Sequence, residues 1–198
     1  MTVLELTPSQ TVGPFFHPCL LRPEAQGQVL VTPATAGVRL RLEGRVLDGD
    51  GQGLSDALVE IWQANAAGRY HHPGDGRPLP LDPEFIGFGR CGTDPAGGYW
   101  FETIKPGPVP FDKTTPQAPH ICLAVFGRGL LNHLYTRLYF DDEPANGADP
   151  ILARVPQPRR ETLMARRSET KGIVKYLFDI VLQGQGETVF FNFGSSPA

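Results

Sequence analysis

Three histidines and one cysteine have the side-chain types and spacing that could bind a metal ion. His120 and Cys122 lie two positions apart in the segment QAPHICLAVF, and His71 and His72 are adjacent in a polar loop. Side chains two positions apart in a β-strand point to the same side, so His120 and Cys122 could contact one ion. A single His-x-Cys pair matches no common metal-binding motif, however, and adjacent histidines seldom share a metal. The HIC segment can therefore be a metal site, the remnant of one, or ordinary sheet.

The apolar residues around these positions follow the pattern of many short strands. The segment 38–48 alternates strictly, with Val38, Leu40, Leu42 and Val46 on one face, as in a half-buried strand. Turn residues separate the further segments with strand character. These segments are 57–65, 87–94, 99–104, 117–126, 133–142, 174–184 and 187–193.

These patterns predict an all-β fold, an antiparallel β-sandwich with an extended N-terminal arm and one or two short helices. The 23 glycines and 20 prolines in 198 residues favour turns between short strands over long helices. The clearest helix pattern spans Pro158 to Arg167, with proline near its start and arginine at its end. We predict an arm over residues 1–36 and a single β-sandwich domain over residues 37–198.

Composition and charge exclude several classes of partner. The formal net charge is -3 and no block of Lys and Arg stands out, which argues against nucleic acid as a partner. No apolar run approaches the roughly 18–20 residues that a membrane span needs. The N-terminal segment lacks the pattern of a signal peptide, and three cysteines without paired spacing predict no disulfide framework. A cytoplasmic protein with reduced thiols is the expectation.

Three longer segments occur in a characteristic order. They are TPSQTVGPFF, LEGRVLDGDGQGLSDALVEIWQANAAGRY and GFGRCGTDPAGGYWFETIKPGP. With them the chain resembles the intradiol ring-cleaving dioxygenases from about residue 7 to residue 193. The resemblance implies an all-β sandwich and a non-haem Fe(III) held by two tyrosines and two histidines. Such an enzyme inserts oxygen between the two hydroxyl-bearing carbons of a catechol.

The resemblance also implies that this chain has lost its iron ligands. The two tyrosine positions are occupied by Arg77 and Val109, and the two histidine positions by His120 and Cys122. A guanidinium about 4 Å from a single positive charge is unfavourable by roughly 4 kcal/mol at an effective dielectric constant of 20, and Fe(III) carries more charge. The HIC segment is then the remnant of a metal motif, and we expect no metal on this chain.

Some members of the family consist of two homologous chains, of which only the beta chain holds Fe(III). The resemblance implies that this chain is the iron-free alpha partner in an (alpha-beta)n oligomer. The oligomer would cleave protocatechuate (3,4-dihydroxybenzoate) to 3-carboxy-cis,cis-muconate. The arm residues Thr11, Gly13 and Pro14 and the loop residue Arg128 would complete the substrate pocket of the iron-bearing chain. Gly13 would allow a close backbone approach, and the fork of Arg128 suits a carboxylate.

Two other functions stay open at this point. The chain could be a β-sandwich that only binds or scaffolds and has no part in an active site. It could also be a self-sufficient metalloenzyme that uses His71, His72 and His120, although the phenolate ligands are absent.

Overall fold

The computed structural model describes residues 7–22 and 27–192. Within them the chain is mostly β, which confirms the all-β class. The strands are β1 (Arg39–Leu47), β2 (Leu58–Trp62), β3 (Phe88–Gly92), β4 (Gly98–Ile104), β5 (Val109–Pro110), β6 (Pro116–Gln117), β7 (His120–Phe126), β8 (Leu134–Phe140), β9 (Met164–Thr170), β10 (Ile173–Leu177) and β11 (Ile180–Val181). The α-helices are α1 (Phe16–Leu20) and α2 (Gln157–Arg160), and 3-10 turns span Pro144–Ala148, Leu152–Arg154 and Glu161–Leu163. In the described residues no helix combines the length and apolar character needed to cross a bilayer.

The large sheet folds over to form two layers. One layer contains β4, β1, β10 and β9, with β11 also pairing with β1, and the other contains β3, β2, β7 and β8. The layers join where β8 pairs with β9 over only two positions, Tyr139–Met164 and Phe140–Ala165. The short strands β5 and β6 form a separate antiparallel pair.

One hydrophobic cluster fills the space between the layers. Alternate residues of each strand point inward because successive side chains of a strand alternate between its faces. The inward residues are at most 4% exposed and include Leu40, Leu42 and Val46 of β1, Val59 and Ile61 of β2, Phe101 of β4, and Ile121, Leu123 and Val125 of β7. The opposite face of β2, β7 and β8 is covered around Tyr139 by a second hydrophobic cluster, and the rest of it can form a site.

The observed sheet is mixed, whereas the sequence predicted an antiparallel one. β1 pairs in parallel with β10 and β11, and β8 pairs in parallel with β9. These partners are far apart in sequence, so no local turn signal reveals their direction. The other pairings of the two layers are antiparallel, as predicted.

The predicted helix over Pro158–Arg167 is shorter than expected. Helical structure runs from Gln157 through Leu163, and β9 begins at Met164 because Met164 and Ala165 pair with the end of β8. Tertiary pairing overrides the local helix pattern here. The predicted strand over 187–193 is reduced, within the described residues, to an isolated bridge between Tyr135 and Phe191.

The segment before β1 lies against the sandwich at several points. The ring of Phe16 in α1 packs on Phe126, with ring centroids 5.4 Å apart. The backbone N–H of Leu30 donates to the carbonyl of Glu102 at 2.8 Å. The division into an arm of residues 1–36 and a domain of residues 37–198 stays a prediction.

The carbonyl of Phe178, between β10 and β11, holds the end of the first layer together. Its oxygen accepts a hydrogen bond from the buried Tyr99 hydroxyl at 2.6 Å. Gly44 of β1 lies directly against this carbonyl, and a Cβ at Gly44 would overlap it. A glycine is therefore required where the parallel neighbour of β1 changes from β10 to β11.

We expect Tyr99→Phe to lower the free energy of unfolding by about 1–2 kcal/mol, because it leaves the buried Phe178 carbonyl without its hydroxyl donor. Urea denaturation of the full chain measures this. The control is Tyr135→Phe, since Tyr135 is 40% exposed and water can replace the bonds of an exposed hydroxyl. An equal loss in both variants would contradict the role assigned to the Tyr99–Phe178 bond.

Candidate functional site

A cavity of about 660 Å³ lies on the face of β2, β7 and β8 that points away from the core. It contains three of the four positions assigned to lost iron ligands: Arg77, Val109 and His120. The other lining residues are Trp62, Tyr70, His72, Gly74, Asp75, Gly76, Pro110, Gln117 and Arg137. The fold therefore brings together residues that are far apart in sequence.

The loop that forms one wall of this cavity is organised by the Asp75 carboxylate. Its oxygens accept hydrogen bonds from the Tyr70 backbone N–H at 2.8 Å and from Arg77 Nε at 2.7 Å. Arg77 Nη2 donates to the same carboxylate at 2.5 Å and to the Gly68 carbonyl at 2.7 Å. Chiefly because of Arg77, the pKa of Asp75 lies well below its usual range. Arg77 is thus held within its own loop by a counter-charge.

His120 is buried at the start of β7 and stays neutral at pH 7. Its Nδ1 lies 2.7 Å from the Ala118 carbonyl, and since a carbonyl only accepts, Nδ1 carries the proton and donates it. Burial, assisted by the charge of Arg137, lowers the pKa of His120 to about 4. The sequence-based view of His120 as a strand histidine bonded to neighbouring polar groups agrees with this geometry.

Cys122 lies on the same face of β7, directly opposite Arg137 of β8 in the strand register. Burial raises the pKa of the Cys122 thiol, so it is protonated at pH 7. Tyr70, whose ring stacks on Trp62 with centroids 5.7 Å apart, is also a neutral group because burial raises its pKa to about 12. Neither group supplies a negative charge to the cavity.

The predicted partner-facing residues come together elsewhere, around the loop after β7. The Thr11 hydroxyl accepts a hydrogen bond from the Gly129 backbone N–H at 2.9 Å. The neighbouring Arg128 has a side chain that is 72% exposed and forms an ion pair with Asp56. The arm and the Arg128 loop are therefore in direct contact.

Gly13 and Pro14 continue the arm from Thr11 into α1. The Gly13 carbonyl accepts from the Phe16 N–H at 3.1 Å. A Cβ at Gly13 would have no atom of residues 7–22 or 27–192 within 4 Å. The glycine is thus not required by packing within the described part of the chain, and Pro14 is exposed beside it.

The predicted residues divide into two places at opposite ends of β7. His120 begins this strand of 7 residues, and Gly127 follows its end. At about 3.3 Å per residue the two ends are about 20 Å apart. The cavity with Arg77, Val109 and His120 and the surface with Thr11 and Arg128 are separate features.

The chain is similar to known proteins over most of its length. A family model described as "Dioxygenase" matches residues 12–184. The chain is 44% identical to the protocatechuate 3,4-dioxygenase alpha chain of Pseudomonas putida, over 96% of this chain and 98% of the other. It is 40% identical to the protocatechuate 3,4-dioxygenase beta chain of Burkholderia cepacia, over 91% of this chain and 77% of the other. The chain belongs to the intradiol ring-cleavage dioxygenase family.

A solved structure shares the fold of this dioxygenase-family chain. It is the dioxygenase domain of a dioxygenase carbohydrate-binding protein fusion from Streptomyces sp. SirexAA-E, with a TM-score of 0.63 and 28% identity. The match covers 91% of this chain and 99% of that one.

The residues at the four positions that the family resemblance assigns to iron ligands do not fit a ferric ion. Val109 has no donor atom, Arg77 is a cation engaged with Asp75, and the Cys122 thiol is protonated. Only His120 offers a neutral nitrogen. In the ranges 7–22 and 27–192 no group of three or more His, Cys, Asp and Glu side chains is arranged to hold a metal, so His71, His72 and His120 form no such group either.

Sequence reasoning missed Trp62, Asp75 and Arg137 as parts of the cavity. The sequence does contain a signal for Arg137. It is a cation within the largely apolar strand segment HLYTRLYF, on the face opposite Leu138. Asp75 lies between two glycines in the loop, which is typical of a turn. Their positions depend on the register of β7 and β8 and on the path of a long loop.

We expect the stability of the chain to fall as the pH is lowered from about 6.5 to about 4. The unfolded histidine takes up a proton near its ordinary pKa, whereas folded His120, with its pKa of about 4, stays neutral. Protonation therefore favours the unfolded state across this window, by up to about 3 kcal/mol at its lower end. Above pH 6.5 both states are neutral and the full stability is present.

Urea denaturation at a series of pH values measures this slope in the wild type and in His120→Gln. The variant should lose most of the difference between pH 6.5 and pH 4, even if it is less stable overall. His72→Gln, in the same cavity but exposed, is the matched control and should keep the wild-type slope. Identical slopes in wild type and His120→Gln would show that His120 is not the responsible group.

Proposed function

We propose that this chain is the iron-free alpha subunit of a protocatechuate 3,4-dioxygenase. Its similarity to an alpha chain runs over nearly the full length of both proteins, while the positions of the iron ligands hold Arg77, Val109, His120 and Cys122. This combination is the observation that carries the proposal. The fold of a dioxygenase is kept and the ligand atoms are not.

The oligomer would contain homologous iron-bearing beta chains, in the cytoplasm, and would cleave 3,4-dihydroxybenzoate with O2 to 3-carboxy-cis,cis-muconate. The beta chain's Fe(III) supplies the binding of the catechol oxygens and the oxygen chemistry. The reaction breaks the ring bond between the two hydroxyl-bearing carbons and places both oxygen atoms in the product. This chain supplies positioning groups at the edge of that pocket.

Arg128 is the residue of this chain that would contact the substrate carboxylate. Its guanidinium is exposed, and solvent weakens the ion pair with Asp56 because exposed pairs contribute little. A substrate carboxylate can therefore share or replace Asp56. The hydrogen bond from Gly129 to Thr11 ties the position of this loop to the arm, so docking of the arm sets where Arg128 points.

The surface around this loop has the character of a partner interface. Phe15 is 78% exposed and Leu131 is 62% exposed, and Leu131 lines a groove together with Val12, Phe126 and Leu130. Large exposed apolar side chains grouped in this way are typical of protein contacts. Gly13 leaves open space at its Cα, where another chain or the substrate can approach closely.

A binding or scaffolding role without any part in catalysis is the second candidate. The ion pair of Arg128 with Asp56 would favour it, if Arg128 only stabilises its own loop. The two candidates predict different kinetics for variants of Arg128 in the assembled enzyme.

We expect the full chain, purified alone, to be colourless and free of stoichiometric iron, because three of the four ligand positions lack a suitable donor. Metal analysis and the visible absorption from tyrosinate bound to iron measure this. The same chain assembled with its iron-bearing partner is the control and should show both signals. Stoichiometric Fe(III) with a tyrosinate band in the isolated chain would overturn the proposal.

We expect Arg128→Ala in the assembled enzyme to raise KM for protocatechuate and to change KM for catechol much less, since catechol lacks the carboxylate. A hydrogen bond to a charged group contributes about 1.5–3 kcal/mol, which corresponds to a factor of roughly 10 to 150. Steady-state oxygen uptake with both substrates measures the difference.

The matched control for Arg128→Ala is Arg166→Ala. The Arg166 side chain is also 72% exposed and forms a weak ion pair, with Glu161 at 3.9 Å. Asp56→Asn provides a second comparison, because it removes the competing carboxylate and should not raise KM for protocatechuate. If Arg128→Ala affects both substrates alike or neither, the scaffolding role is favoured instead.

A further inference from the structure

The cavity contains a cation, Arg137, that no described residue of the chain neutralises. Arg137 Nη1 donates to the uncharged Gln117 side chain at 2.7 Å, and the guanidinium carbon lies 6.0 Å from the centre of the Phe191 ring. Its Nε is buried and has no hydrogen-bond partner in the part of the chain that the structure describes. None of the ion pairs formed within residues 7–22 and 27–192 involves Arg137.

The other groups that line the cavity do not compensate this charge. Asp75 is fully engaged by Arg77, through two of its guanidinium nitrogens. Tyr70 and His120 are neutral at pH 7, as their shifted pKa values of about 12 and about 4 require. The lining aspartate and arginines therefore leave an excess of positive charge, centred on Arg137.

A half-buried guanidinium without an anion is unfavourable, because burial removes water and the neutral partners Gln117 and Phe191 replace only part of its electrostatic stabilisation. The planar fork of arginine matches a carboxylate, which can accept two parallel hydrogen bonds from it. The Arg137 Nε is enclosed by the protein and unpaired among the described residues, which adds to the cost of burying this cation. The uncompensated charge points to an anionic ligand.

The remaining lining indicates what kind of anion fits. The Trp62 ring and the side chains of Val109 and Pro110 provide apolar surface, and the volume of about 660 Å³ is within the usual range of small-molecule sites. An inorganic anion would use the charge and leave this apolar surface exposed. A flat organic molecule would use both.

We propose that this cavity binds a small organic carboxylate with a flat apolar body, its carboxylate on Arg137 and its body against Trp62 and Pro110. The proposal gives this chain a ligand site of its own. It requires no iron and no catalysis, so it stands or falls independently of the proposed function.

The probe is 4-fluorobenzoate, added to the full chain and followed by isothermal titration calorimetry and by 19F NMR line broadening. We expect saturable binding of one molecule per chain. Benzamide, a flat molecule of similar size without the charge and the fluorine, should bind at least 10-fold more weakly, and phosphate should compete poorly. Equal binding of benzamide would show that Arg137 does not select the ligand, and equal binding of phosphate would show that the apolar wall contributes nothing.

Arg137→Gln removes the charge, and we expect it to weaken binding of 4-fluorobenzoate by roughly 10- to 150-fold, as for loss of a hydrogen-bonded charge. Arg137→Lys keeps the charge and loses the guanidinium fork. The affinity of this variant for 4-fluorobenzoate should therefore lie between those of the wild type and Arg137→Gln. Arg45→Gln is the matched control because Arg45 is exposed on β1 and its ion pair with Asp179 is long, 3.8 Å. Unchanged affinity in Arg137→Gln would overturn the proposal.

Two measurements keep the test valid if the Arg137 variants do not fold. The comparison of 4-fluorobenzoate with benzamide and phosphate uses only the wild-type chain. The chain has two tryptophans, so in Trp100→Phe the fluorescence reports on Trp62 alone. The Trp62 fluorescence should change in proportion to the amount of 4-fluorobenzoate bound. A calorimetric binding signal without any change in this fluorescence would place the ligand elsewhere and refute the site.

Discussion

The alternation of side chains along β7 is the constraint on which both candidate sites depend. Burial of Ile121, Leu123 and Val125 between the layers fixes the orientation of the strand, because a shift of one residue would turn these side chains outward. His120 and Cys122 are thereby held on the opposite face, in or beside the cavity. The same strand carries the chain to the loop that meets the N-terminal arm. Packing of the core thus fixes the positions of the side chains at both ends of β7.

The charges in the cavity differ from those expected of an iron site. The family's site binds a cation through anionic oxygens, whereas this cavity contains two guanidinium groups. One of them, Arg77, is neutralised by an aspartate two residues away, and the loop around it is ordered by this pair. The other, Arg137, has no such partner in the described residues. The charges that line this cavity therefore suit an anion better than a cation.

Much of the fold could be predicted from the sequence, because alternating apolar residues such as Leu40 and Leu42 report directly which face is buried. The parallel pairings could not, since they join distant strands and follow from how the layers close. The family resemblance identified the positions of Arg77, Val109 and His120, and the structure brings them together. The role of Arg137 could not be predicted, because it depends on the register that places it opposite Cys122.

The pairing of β1 with the last strands also affects how the chain can be made. The Arg45 backbone N–H donates to the Asp179 carboxylate across 134 positions of sequence, and β10 and β11 cover the parallel edge of β1. Contacts of such long range form slowly. While the polypeptide is being synthesised, the edge of β1 next to these strands stays open until β10 and β11 have left the ribosome. An exposed strand edge attracts other strands, so the nascent chain passes through a period in which aggregation competes with folding.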